Sequence, residues 1–113
     1  MAYDLITPVK LGRGAISTSP TVDTIYTVPS LARAIVKDID ISNTTGGPLT
    51  VTVYLVESGG SPGASNTLIP TISIAANTAF QWIGTQILNA GDSLRTTASG
   101  AGLTINASGA ECT

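Results

Sequence analysis

Two runs of alternating residues, separated by a segment that cannot continue a strand, constrain this chain more than any other feature. From Arg33 to Ser42, Ile35, Lys37, Ile39 and Ile41 share one parity, and Ala34, Val36, Asp38 and Asp40 share the other. From Leu49 to Val56, Leu49, Val51, Val53 and Leu55 alternate with Thr50, Thr52 and Tyr54. A period of two sends successive side chains to opposite faces of a strand, one buried and one wet. Between the runs, Asn43-Thr44-Thr45-Gly46-Gly47-Pro48 is turn chemistry, because glycine reaches positive φ and proline has no ladder donor. The pattern predicts a β-hairpin over 33–56.

The remaining segments are strand-like too. Thr21–Val28 is β-branched and stops at Pro29; Leu68–Ile74 contains Pro70, the mark of an edge or a kink. Thr78–Ile83 carries Phe80 and Trp82, which should pack inside. Ala90-Gly91-Asp92-Ser93 turns into Leu94–Ala98, and Ser99–Gly102 turns into Leu103–Ala107, while Glu57–Thr67 reads as a long flexible loop. There is no amphipathic helix and no fixed-period repeat. The expected fold is all-β: an antiparallel β-sandwich, jelly-roll or immunoglobulin-like, of seven or eight strands with an extended N-terminal arm.

The arm is residues 1–20 and the sandwich 21–113. Pro8, Gly12, Gly14 and Pro20 interrupt every candidate element in the arm, yet Tyr3, Leu5, Ile6, Val9, Leu11 and Ile16 are apolar. A solvated tail has no use for such residues. Two readings stay open. In one, Tyr3, Leu5, Ile6, Val9, Lys10, Leu11 and Arg13 dock on a neighbouring subunit or partner. In the other, the segment folds back on its own domain as an edge. Lys10 and Arg13 either meet acidic patches on a partner lattice or serve solubility.

Composition narrows the chemistry. The chain has 113 residues, no histidine and one cysteine, Cys112, which reads as a solvated chain end. No Ser-His-Asp or Cys-His machinery is possible within one chain, nor a zinc site built from cysteine and histidine. Asp38 and Asp40, at i and i+2, would share a strand face and suit calcium or glycoside chemistry, but a solvated face that discourages edge pairing explains them better. No catalytic residue, cofactor or metal is expected. Five cations and a formal charge of -2 supply no phosphate-binding stripe, so nucleic acid is not an expected partner. No run approaches a membrane span, and the N-terminus lacks the charged start and apolar core of an export signal. Only 11% of residues are charged, against about 25% in ordinary domains. A surface of Thr, Ser, Asn, Gly and Ala is cheap to dehydrate; it either suits packing against copies or partners or is simply the face a β-protein shows to water.

In order and spacing, Thr24–Pro29, Ala34–Gly46, Thr50–Val56, the Ala90–Leu94 turn and Ile105–Glu111 resemble the small β-sandwich virion proteins of tailed bacteriophages, of the capsid-decoration or head-fibre type. The likeness spans about 22–111 and leaves out the first twenty residues. It implies a non-enzymatic virion protein, made in the host cytoplasm. It would bind the major capsid protein or another virion protein and act as a homo-oligomer, with a trimer one option. The alternative is a neck, tail or fibre component, or an adhesin module taking a host-surface glycan at loops 43–48 and 57–67 beside Tyr54.

Overall fold

The two alternating runs do form strands, but the strands do not pair with each other. In a computed structural model that describes residues 5–113, Arg33–Asn43 is strand β3 and Leu49–Val56 is β4, and they belong to different sheets. The other strands are β1 (Ile6–Ala15), β2 (Asp23–Thr27), β5 (Thr67–Ile74), β6 (Thr78–Leu88), β7 (Ser93–Ala98) and β8 (Leu103–Cys112). They form two four-stranded antiparallel sheets, β1-β8-β3-β6 and β2-β7-β4-β5. Of the seven connections, only β4–β5 joins neighbours in one sheet; the other six cross between sheets. Eight strands wound in this order make a jelly roll rather than an immunoglobulin sandwich.

The predicted hairpin fails for a physical reason. Side-chain alternation reports a buried face, and both strands have one, but it does not report which backbone each strand pairs with. The deciding residue is Asn43, which is 1% exposed. Its Nδ2 donates to the carbonyls of Gly47 and Ile74, both at 2.9 Å, and its Oδ1 accepts from the Thr45 amide and hydroxyl at 2.9 and 2.7 Å. All its polar capacity goes into folding the chain over the edge of the sandwich. Residues 44–48 are thus a corner between layers.

The parity of β3 also changes midway. Val36 pairs with Gly109 and Asp38 with Ser108, so Lys37 is an extra residue in the ladder with β8. Such a bulge switches the face that follows. Ala34 and Val36 therefore join Ile39 and Ile41 in the core, all 0% exposed, and Ile35 turns outward with Asp38 and Asp40. The uninterrupted alternation read from the sequence holds only on either side of Lys37.

Between the sheets lie Val36, Ile39, Ile41, Leu103 and Ile105 from one layer and Val51, Val53, Ile69 and Leu94 from the other. Phe80 and Trp82 are half-buried against this core, as expected. Thr96, fully buried, gives its hydroxyl to the Thr52 carbonyl at 3.2 Å. Two expected strands run longer than their apolar patterns: β6 continues to Leu88 and β8 to Cys112. Pro70 lies on an edge strand, β5. The 57–67 segment contains a 3-10 turn at Ala64–Asn66, closed by Asn66 Oδ1 on the Gly63 amide and Asn66 Nδ2 on the Ser61 carbonyl. At the 89–92 turn, Asp92 accepts from the Asn89 and Ser58 amides and ties the turn to that segment.

Candidate functional site

The N-terminal segment takes the second of its two readings. Residues 6–15 pair along β8 from Ile6–Cys112 to Ala15–Thr104, so they form an edge strand of the sandwich rather than a separate arm. Glycine allows this docking: a Cβ on Gly12 would fall 2.2 Å from Ile25 Cγ2 and 2.8 Å from the Ile25 carbonyl oxygen. Leu11 and Ile16 are 3% exposed and part of the core, and Val9 packs against it. Leu5, Ile6, Lys10 and Arg13 remain exposed. Tyr3 lies outside the described residues.

The outer face of the β1-β8-β3-β6 sheet is organised in rows set by register. Pro8, Ala110, Ile35 and Ile87 lie side by side and make an apolar row. The next row is Lys10, Ser108, Asp38 and Ile83; the one after is Arg13, Asn106, Asp40 and Gln81. Cations therefore occupy the β1 edge, carboxylates the middle, and neutral residues the β6 edge. Asp38 and Asp40 do share a face, as expected. Asp38 Oδ1 accepts from Gln81 Nε2 at 3.5 Å. Among the described residues, no three His, Cys, Asp or Glu side chains converge as metal ligands. No helix there is long and apolar enough to cross a membrane.

Cys112 corrects an expectation. It is buried at 8% exposure in β8, paired with Ile6 on one side and Arg33 on the other. Sequence alone could not see this, because the strands that flank Cys112, β1 and β3, come from distant parts of the chain.

Tyr54 faces outward on the second sheet, half-buried, in a shallow groove with Thr50, Thr52, Thr71 and Thr97. The hydroxyls of Thr52 and Thr71 bond to each other at 2.8 Å. Loops 43–48 and 57–67 contribute nothing to this groove. The hydroxyl lining is a property of the sheet face, which the Thr-x-Thr-x-Tyr alternation encodes but loop composition does not.

Tyr26 links the sheets: its hydroxyl on β2 donates to Glu111 Oε2 on β8. Burial, followed by this bond and the adjacent carboxylate charge, holds the phenol well above its ordinary titration range. Tyr26→Phe should cost about 1 kcal/mol near neutrality, one net hydrogen bond. The sign with pH follows from the raised folded-state value. The contribution is complete below the unfolded phenol's pKa of about 10 and disappears as pH rises through the higher folded value. Denaturant titrations at pH 7 to 11 should show wild type losing its advantage over Tyr26→Phe at the alkaline end. A constant gap would refute the link.

No family model matches the chain, and no curated protein matches its sequence. Solved structures do. A chain in the structure of infectious bursal disease virus, Gx strain, is similar over 95% of this chain and 32% of its own length, with a TM-score of 0.55 and 12% identity. A chain in the T13 particle of the same virus is similar over 95% and 29%, with a TM-score of 0.51 and 11% identity. A chain of Bacillus endospore appendages, described as disulfide-linked pili, is similar over 100% and 94%, with a TM-score of 0.42 and 19% identity. The chain thus spans about a third of the length of the viral chains it matches. At such identities the likeness is one of fold.

Proposed function

We propose that this protein is a non-enzymatic structural component of a virion, a decoration or cementing protein that binds the head shell of a tailed phage. The observation that carries the reading is the jelly roll itself, similar over 95% of the chain to a chain of a virus particle. Jelly rolls serve viral capsids and lectins alike. The resemblance to phage virion proteins read from the order and spacing of the strand segments, and the low fraction of charged residues, favour the capsid side. Contact rather than catalysis is the mechanism. A rigid sandwich repeated by the symmetry of a shell turns many modest contacts into large collective stabilisation.

The shell-facing surface in this reading is the β1 edge, where Leu5, Ile6, Lys10 and Arg13 stand exposed. Deleting residues 1–20 would not test it cleanly, since Leu11 and Ile16 would leave the core with them. A Lys10→Glu/Arg13→Glu double variant keeps the core. It should melt within a few degrees of wild type but no longer co-sediment with particles of the phage that encodes it. Undiminished binding would overturn the β1 assignment. Quantitative mass spectrometry of those particles tests the role: hundreds of copies per virion fit a shell protein, whereas a dozen or fewer fit a neck or fibre.

A second reading rests on the Tyr54 groove. A half-buried aromatic ring among threonine hydroxyls suits a sugar ring, which an adhesin module would use. Binding on a glycan array, lost in Tyr54→Ala, is the outcome expected of that reading. Silence on a broad array removes it.

A further inference from the structure

The two sheets have four edges, and three of them carry devices that prevent strand addition. β1 has Pro8, Lys10, Arg13 and a bulge between Lys10 and Gly12. β2 is five residues long and irregular against β7. β5 has Pro70 and two register shifts against β4. Prolines, charges, bulges and shortness are the means by which edges are kept from pairing. β6 differs. It is eleven residues long, with no charged residue and no proline, and it presents Ile83 and Ile87 outward at 72% and 59% exposure. Its register against β3 shifts once, between Ile83 and Gln86, which leaves Thr78–Ile83 regular.

We propose that two copies of this chain join edge to edge through β6, about a two-fold axis at Ile83, so that the four-stranded β1-β8-β3-β6 sheet continues into its twin. A second copy is the favoured occupant because the edge is long, neutral and self-compatible, its one irregularity being the shift between Ile83 and Gln86, whereas the other edges carry proline, charge, shortness or repeated shifts. A two-fold normal to the sheet makes identical strands antiparallel, and main-chain hydrogen bonds supply the affinity.

Charge selects the register. Lys37 reaches across to β6 and donates from Nζ to Thr85 Oγ1 at 3.0 Å, while Asp38 lies against Gln81. An axis at Ile83 sets Gln81 opposite the partner's Thr85, so Asp38 meets the partner's Lys37, and the contact occurs twice. An axis at Gln81 would oppose two Asp38 carboxylates, and one at Thr85 two Lys37 ammoniums. Opposed like charges destabilise paired strands. The inference goes beyond the structural role proposed above and does not depend on it.

Purified protein alone tests it. Light scattering after gel filtration should give twice the 11.4 kDa chain mass. Ile83→Lys and Ile83→Glu, at an exposed position, should each be monomeric with an unchanged circular dichroism spectrum, and mixing them should restore the dimer. Opposed residues on antiparallel strands lie about 4.5–5.5 Å apart, within disulfide reach. Ile83→Cys should therefore cross-link on mild oxidation. Ile87→Cys should not, since its own copy would lie roughly 27 Å away, eight residues along the strand. A wild-type monomer at the highest soluble concentration, a trimer, a dimer that survives Ile83→Lys, or cross-linking at 87 rather than 83 would each overturn the proposal.

Discussion

Gly109→Ala is expected to be the most damaging glycine-to-alanine change in this protein. A Cβ at that position would lie 1.8 Å from the carbonyl oxygen of Ile35 and 3.2 Å from Leu11 Cδ1. The first neighbour is backbone in β3, an interior strand hydrogen-bonded on both sides, so it cannot swing away as a side chain could. Gly109 pairs with Val36 immediately before the Lys37 bulge and with Val9 on the other flank, so any displacement opens two ladders. Overpacking costs about 1–3 kcal/mol where side chains can adjust; here backbone must move, and the expected loss is at least about 3 kcal/mol. For a domain of this size that lowers the melting temperature by about 12 °C or more. Gly46→Ala is the matched control, because nothing lies within 4 Å of its Cβ position. A thermal melt in which Gly109→Ala and Gly46→Ala coincide would show that β3 and β8 do not approach as described. Trimming Leu11 in the Gly109→Ala background should not restore stability, since the closer contact is the carbonyl.

Asn43→Asp is expected to be nearly as severe although it changes one nitrogen to oxygen. The new oxygen would face two carbonyls, Gly47 and Ile74, where Nδ2 now donates to both. An ionised carboxylate in that buried corner is a charge with two repulsive neighbours and only the Thr45 donors to compensate. Breaking a buried polar site in this way costs about 3–5 kcal/mol at neutral pH. Asn43→Ala, which deletes the bonds without adding charge, should cost about 2–4 kcal/mol. The two variants separate on acidification. Burial raises the folded-state pKa of the new aspartate above its unfolded value, so the folded form takes up a proton first. Relative to wild type, Asn43→Asp should therefore gain stability as pH falls from 7 towards 4, and Asn43→Ala should not. Denaturant midpoints at both pH values measure the difference. A pH-independent gap for Asn43→Asp would mean that Asn43 is not enclosed in the corner.

Both variants act where local pattern was a poor guide. Strand positions and one buried face per strand were legible, because β-branched alternation bounded by glycine and proline is a local signal, as at Val51, Val53 and Leu55. The pairing of those strands was not. Residues 33–56 look like a hairpin until Asn43 is seen to spend its amide on Ile74, thirty-one residues away. The Lys37 bulge was also hidden: a register shift arises between strands, and the sequence of one strand carries no mark of it. Among the candidate partner contacts, Leu5, Ile6, Lys10 and Arg13 were identified as residues of interest, yet only the pairing of β1 with β8 separates them from Leu11, which serves the core. The long, neutral edge of β6 was missed, since an edge is defined by which strands fail to cover it.

Composition and alternation by themselves determined that this chain is all-β and that it has no histidine-based catalytic or metal centre. Those properties follow from which side chains are present and how they repeat over a few residues. The tertiary structure alone decided the jelly-roll order, the burial of Cys112 in β8 and which strands stand at the sheet edges. Each of these depends on contacts between residues far apart in the chain, and strand pairing is made by backbone groups that every residue carries alike.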